Sequence, residues 1–415
     1  MNVNRRRILL STVLLTGCRL TASAQEALTR SVAADATAVE IHSRAENLPY
    51  TVRLKDLRLM VGVSAGVEWT DNVRLTQRAR ENDVLLNSRL DLHAFHPIGE
   101  ANMLSLDVGL GYLKYLRNED LDRLDVSQGS AVNFDLIIDR LKLNFHDRLS
   151  YQLDPVLQGA VSGRGSFGGI DNTAGLMADW HLGPVSFNLG YDFLKYLASS
   201  SEFEAMDRSS HQFLLRSGVQ VHPAARVGVE STFNLSSYDS PSPAFNDSRS
   251  YSAGVFAEWQ LTEHLSLTPR AGYSLYQFLE NAAGFDPGHS AAGYFGLMLS
   301  HRLSESLTYR LTADHQVSPG VRANLSEVWR LGIDSSWSVV RRLPIGVGMF
   351  VERGEQGESL QTERYDRIGA SFGVSYQWTP SLDLSLNYSF TLRDSDLLNH
   401  DYLQNKLALR LNYKL

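Results

Sequence analysis

Apolar residues return at every second position through most of this 415-residue chain, and no other feature of the sequence constrains the fold as strongly. Near the C-terminus Leu382, Leu384, Leu386, Tyr388, Phe390 and Leu392 alternate with Asp383, Ser385, Asn387, Ser389, Thr391 and Arg393. The last segment repeats the pattern, with Leu407, Leu409, Leu411, Tyr413 and Leu415 against Ala408, Arg410, Asn412 and Lys414. A period of two is the signature of a strand with one apolar and one polar face. Similar rows run through Val61 to Trp69, Leu104 to Tyr112, Val185 to Phe193, Phe213 to Val219, Tyr251 to Trp259, Trp329 to Trp337 and Ile368 to Trp378. A soluble sandwich also alternates, so the pattern alone leaves two fold classes open.

The connections separate them. Breaks between strands run alternately short and long. Short ones include His96 to Gly99, Leu182 to Pro184, His222 to Ala225, Thr262 to His264, Ser304 to Ser306, Arg341 to Pro344 and Thr379 to Ser381. Long polar ones include Asp71 to Asp83, Arg117 to Gly129, Asp154 to Asn172, Ser199 to Ser210, Asp239 to Ser248, Glu280 to His289, Ser318 to Ser326, Arg353 to Asp366 and Arg393 to Asp401. Short turns on one side and long loops on the other are the habit of outer-membrane barrels. Hydrophobic residues make up 43% of the chain, yet no stretch of the body reaches the roughly 20 apolar residues that a membrane helix needs. The expectation is an all-β transmembrane antiparallel barrel of about 18 strands, with 16 as the alternative. Trp69, Trp180, Trp259, Trp378 and Tyr413 fall near strand ends, where an aromatic girdle would meet the headgroups.

The N-terminus reads as a secretory signal: Arg5, Arg6 and Arg7, then the apolar run Ile8 to Leu15, then small residues. Cleavage after Ala24 competes with a lipobox reading of Leu15-Thr16-Gly17-Cys18. We favour Ala24, because a chain that is itself a membrane barrel needs no acyl anchor. The expected organisation is a signal peptide over 1–24, a short periplasmic segment over 25–56 and an outer-membrane barrel over 57–415, with the N-terminus periplasmic. The segment Gln25 to Lys55 is too small for a folded plug.

The opposite faces of the strands supply the candidate pore-lining residues: Arg89, Asp91 and His93; Lys142, His146 and Arg148; Asp179 and Asp192; Arg216, Glu230 and Glu258; Arg270, Arg310 and Asp314; Arg330 and Asp334; Asp383 and Arg410. Glycines on the same rows (Gly62, Gly66, Gly109, Gly111, Gly346, Gly348, Gly373) are expected to leave stretches of wall without side chains. Both charge signs are mixed, which suits a neutral or weakly charged hydrophilic solute such as a sugar, and there is no one-sign ring of the kind an anion filter shows. A net charge of −7 without a basic run beyond the signal argues against nucleic acid. No H-E-x-x-H, P-loop, cysteine-based metal site or nucleophile elbow is read, so no enzyme activity, cofactor or metal is expected. Histidines on strands read as lumen lining, and an enzyme or adhesion scaffold of the outer membrane stands as the alternative of another class.

Val67-Glu68-Trp69-Thr70-Asp71-Asn72-Val73-Arg74-Leu75, with Asp83-Val84 opening the next strand, resembles the Putative beta-barrel porin 2 family. Gly111-Tyr112-Leu113-Lys114-Tyr115 followed by Leu121-Asp122-Arg123 looks like the same family. The resemblance implies an outer-membrane channel associated with exopolysaccharide export, with a glycan chain as cargo and a periplasmic polysaccharide export protein as partner. Uptake of small hydrophilic solutes by diffusion is the alternative. The terminal strand to Leu415 resembles the signal read by the barrel-assembly machinery, which with outer-membrane lipid completes the expected partners.

Overall fold

The computed structural model describes residues 50–415 apart from 241, 243, 281–287, 322, 341 and 358–361. The segment 1–24, read as a signal peptide, and most of 25–56 lie outside the described residues. The chain from Val52 onward forms one twenty-stranded antiparallel sheet. It begins with β1 (Val52–Leu54), β2 (Leu57–Thr70), β3 (Asp83–Ile98), β4 (Asn102–Tyr115), β5 (Arg123–Val126), β6 (Ala131–Ile138), β7 (Leu141–Gln152) and β8 (Gly169–Leu182). It continues with β9 (Val185–Ala198), β10 (Arg208–His222), β11 (Ala225–Tyr238), β12 (Ser248–Thr262), β13 (Leu265–Phe278) and β14 (His289–Arg302). The remainder is β15 (Leu307–Pro319), β16 (Leu325–Val340), β17 (Leu343–Gly357), β18 (Glu363–Thr379), β19 (Leu382–Ser395) and β20 (Tyr402–Lys414).

Each strand pairs with its sequence neighbour, and β20 returns to β2, from Gly62 opposite Lys414 to Thr70 opposite Lys406. Closure leaves no free sheet edge. The stub β1 pairs only with β2, and β5 and β6 share one position beside β4, so the twenty strands make a ring of 18. The expected barrel and its strand number are therefore found.

Between the described strands of the ring nine connections are long, the longest being residues 153–168, and eight are short. Gly99 and Gly183 occupy short turns with φ of 67° and 60°, the left-handed region that a residue without Cβ enters at no steric cost. Three stretches differ from the sequence reading. The stretch read as a loop from Arg117 to Gly129 contains β5, which pairs with β4 before the chain breaks at Ser127 and resumes as β6. The stretch Arg353 to Asp366 is largely strand, since β17 runs to Gly357 and β18 begins at Glu363, and β19 continues into the stretch from Arg393 as far as Ser395. The outer row there turns charged while the ladder goes on: Arg353 pairs with Asp366 at 2.7 Å and Arg364 with Glu355 at 2.9 Å, all exposed. A strand that leaves the hydrocarbon loses its apolar row but keeps its hydrogen bonds, so composition mistakes it for a loop.

The outer face is the apolar one. Leu189 and Val255 are 52% and 59% exposed although they sit mid-strand, which is tolerable only in lipid. Trp180, Trp259, Trp337 and Trp378 lie at the short-turn end. From Ile368 to Trp378 the outer row of β18 is apolar, ten residue steps or about 33 Å of strand. At the usual tilt of roughly 40° that spans about 25 Å, the height of an outer-membrane apolar band.

Candidate functional site: the inner wall and the loop across it

Alternation puts the polar rows on the inner face, where the side chains interact mostly along the wall. Arg89 meets Asp91 at 2.9 Å with Asp125 3.9 Å away, His93 meets Asp107 at 2.5 Å, and Lys142 lies 3.5 Å from Asp135. His146 contacts Asp192 at 2.8 Å, and Asn188 bonds Asp179. Arg216 reaches Glu258 at 3.0 Å and Glu230 at 3.8 Å, and its guanidinium lies 3.6 Å over the Phe256 ring. Arg330 pairs with Glu352 at 2.9 Å, and Lys414 lies 3.8 Å from Asp383. Arg270 covers Gly296, which stands in register with Asp314. Arg310 and Asp334 face each other in register, both exposed. Arg410 is opposite Gly66, and Arg148 continues the row of His146. Every candidate from the sequence thus stands on the inner rows, but as separate small networks.

Several inner glycines prove to be covered. A Cβ on Gly109 would meet Arg89 and Ser127 at 2.6 Å, one on Gly348 would meet Ser371 at 2.6 Å, and one on Gly373 would meet Asn387 at 2.6 Å. At Gly109, Gly348 and Gly373 the missing side chain makes room for a neighbour on the wall, which corrects the expectation of bare wall there, whereas Gly62 and Gly346 leave it bare.

The letters G-x-S-x-G do occur, at Gly62 to Gly66 and Gly369 to Gly373, a match the sequence reading passed over. Both lie inside strands β2 and β18, without the strand-to-helix turn that exposes a nucleophile. His93, His146 and His181 belong to separate places on the wall, and among the described residues no cluster of three or more His, Cys, Asp or Glu could hold a metal.

The most consequential element was not singled out in the sequence. Residues 153–168, between β7 and β8, do not project outward; they bend across the barrel to the wall formed by β17 to β20. Arg367 Nη2 donates to the Val156 carbonyl at 2.8 Å, Arg393 Nε to the Gly159 carbonyl at 2.9 Å, and Gln356 Nε2 to the Ala160 carbonyl at 3.4 Å. Lys406 pairs with Asp154 at 3.0 Å. Burial alone would raise the Asp154 carboxyl, but the Lys406 ammonium and the Arg123 guanidinium outweigh it and hold the group below its usual range.

Those wall cations are themselves fixed. Arg367 meets Glu352 at 3.0 Å and Arg393 meets Glu363 at 2.6 Å; both arginines are almost fully buried. Tyr365 lies 4.6 Å beneath the Arg393 guanidinium. Ala160, Val161 and Phe167 of the crossing loop then pack with Phe203, Met206, Phe245, Val321 and Tyr365, drawn from three further long loops and β18. An apolar cluster thus sits at the long-loop mouth of the lumen. The sequence reading missed Glu352, Glu363, Arg367, Arg393 and Lys406. Glu363 fell in a strand end taken as a loop; Glu352 and Arg367 flank that stretch, and Arg393 stood on the polar row of its strand without being singled out, although parity with Ile368 and Leu392 places Arg367 and Arg393 on the inner row.

The profile of the Putative beta-barrel porin 2 family matches residues 59–415. The chain belongs to that family. No curated protein sequence matches it. Among solved structures, this porin-family barrel is similar to Pseudomonas aeruginosa OpdQ, with 11% identity over 87% of this chain and 100% of that one and a TM-score of 0.50. P. aeruginosa OccK2 (OpdF), solved in complex with glucuronate, shows 13% identity over 86% of this chain and 98% of its own at a TM-score of 0.49. Acinetobacter baumannii OccAB3 shows 9% identity over 86% and 99% at 0.48. The likeness to OpdQ is one of fold. An outer-membrane porin barrel is what the family and the closed ring together establish.

Proposed function

We propose that this barrel is a diffusion porin that admits small hydrophilic solutes, neutral polyhydroxy compounds above all, with its long loops outside and its N-terminus in the periplasm. The observation that carries the reading is the loop 153–168, held across the lumen through three of its own carbonyls. A pinned loop narrows a passage for a small molecule but obstructs a continuous polymer. For that reason, and because the family is one of porins, diffusion replaces the export of an exopolysaccharide as the favoured reading. The candidate pore-lining residues named above, from Arg89 to Arg410, are assigned to the wall of that passage.

Preference for uncharged solutes follows from pairing. The guanidiniums beside the loop already hold carboxylates, Glu352 and Glu363, so an anion must displace a partner that is covalently part of the wall. Hydroxyl groups need only exchange hydrogen bonds.

The purified protein in planar bilayers should give stable unit conductances. In liposomes it should admit neutral mono- and disaccharides at rates that fall with size, and exclude dextran. Absence of conductance from folded barrels, or loss of surface polysaccharide on gene deletion with solute uptake intact, overturns the reading.

A further inference from the structure

The segment Thr70 to Leu75 and Asp83, singled out in the sequence as a motif, lie at the long-loop ends of β2 and β3, beyond the candidate pore-lining residues, and their polar groups are closely satisfied. Asn72 is fully buried. Its Nδ2 donates to the Thr76 carbonyl at 2.8 Å and to the Leu403 carbonyl of β20 at 3.0 Å, while its Oδ1 accepts from the Thr76 amide at 3.0 Å. Its own carbonyl accepts from Gln404 Nε2 at 2.9 Å. This box fixes the start of the loop 71–82 against the closing strand. Within it Leu75, also fully buried, has φ of 52°, a conformation that a non-glycine side chain adopts only when its surroundings impose it.

Asp83 performs the same service for the loop 116–122. Its carboxylate accepts from the Arg117 amide at 3.1 Å, the Asn118 amide at 2.9 Å and Asn118 Nδ2 at 2.9 Å. The Asn118 carbonyl then accepts from the Leu121 amide at 2.9 Å, so Leu121 is set in place through Asn118.

Both loops end on the crossing loop. The Gly163 amide donates to the Leu75 carbonyl at 2.8 Å, and Gly163 is itself left-handed, with φ of 68°. Two residues on, Gly165 is pressed against Leu121: a Cβ there would stand 2.7 Å from Leu121 Cδ2. The tip of the constriction thus rests on a shelf of two loops, and each half of the shelf is held by one residue of the motif.

We propose that Asn72 and Asp83 are positioning residues of the constriction, which fix the shelf under Gly163 and Gly165 and so set how far the loop 153–168 closes the lumen. The proposal rests on reading that loop as the constriction. It assigns to a motif at the loop ends of β2 and β3 a role in conductance, through contacts that run from Asn72 to Leu75 to Gly163 and from Asp83 to Asn118 to Leu121 to Gly165.

Single-channel conductance of the full-length barrel tests it. Asn72→Asp retains the acceptor for Thr76 and loses both donations; Asp83→Ala removes the acceptor for the second loop; Gly165→Val displaces Leu121 directly. Each should raise the mean conductance or add open substates, in barrels whose heat-modifiable gel migration shows that they have folded. Because all three act on one shelf, Asn72→Asp combined with Gly165→Val should exceed the larger single effect little, whereas independent effects would add. A chain in which 157–166 are replaced by a short Gly-Ser linker separates the two ideas. If that replacement leaves conductance unaltered, the constriction reading itself is wrong. If it raises conductance while folded Asn72→Asp and Asp83→Ala channels behave as wild type, or if those substitutions change conductance equally without the loop, the positioning proposal alone is overturned.

Discussion

Arg393→Met is the substitution that most directly asks whether the crossing loop is held by the wall. Arg393 is fully buried and donates at 2.9 Å to the Gly159 carbonyl, at 2.7 Å to the His400 carbonyl and at 2.6 Å to Glu363. Methionine keeps much of the volume and the contact with Tyr365 but supplies no donor. A hydrogen bond from a charged group contributes about 1.5–3 kcal/mol, so the loss of the Gly159 contact alone should shift the docked loop toward release by roughly 10- to 100-fold, at tenfold per 1.4 kcal/mol. Three other ties remain, Arg367 to Val156, Gln356 to Ala160 and Lys406 to Asp154, so the loop should flicker and not detach. Single-channel records should show added open substates. The barrel should also melt at lower temperature, since Glu363 loses its buried partner and breaking such a pair costs about 3–5 kcal/mol. Arg393→Lys, which keeps a cation beside Glu363, should recover much of the stability but less of the loop contact, because an ammonium lacks the fork that reaches two carbonyls and a carboxylate together. Folded Arg393→Met channels with an unchanged conductance histogram would refute the reasoning.

Other outcomes follow from the same geometry. Glu352→Gln leaves Arg330 and Arg367 without their shared carboxylate, and the reversal potential in a KCl gradient should move toward chloride; an unmoved potential would show that these guanidiniums do not face the permeation path. Asp154 is held below its usual range, so its pairing with Lys406 is present above the unfolded value near 3.8 and is lost only as pH falls below it. Conductance should therefore be flat from pH 8 to pH 5 and change in stronger acid, and a transition near pH 6 would contradict the assignment. On the lipid face, Leu215→Arg near the middle of β10 should cost about 2–4 kcal/mol in folding titrations into vesicles, and a cost near zero would mean that this row does not meet the bilayer centre.

How much of this was legible in the chain follows from where each kind of information resides. The face on which Arg89, Glu230 or Arg410 would stand could be read from the letters, because the pleat fixes it locally at period two and lipid is a uniform solvent that filters every outer position in the same way. The barrel, its strand number and the side of each candidate came from that filter, and the family motif around Thr70 to Val73 came with them. Where the filter stops, reading stopped: Glu363 lies beyond the apolar band, so its strand end passed for a loop, and Arg393, last on the polar row of β19, opened a stretch read as loop.

The partners were decided by closure alone. Arg393 and Gly159 are 234 positions apart, and Asn72 meets Leu403 only because β20 returns to β2. The crossing loop left no mark in composition, since what the wall grips are the carbonyls of Val156, Gly159 and Ala160, groups that every residue carries. Sequence determined which side chains face inward. Tertiary structure decided which of them hold the loop that narrows the passage, because that choice depends on distances around a closed ring and no local pattern encodes it.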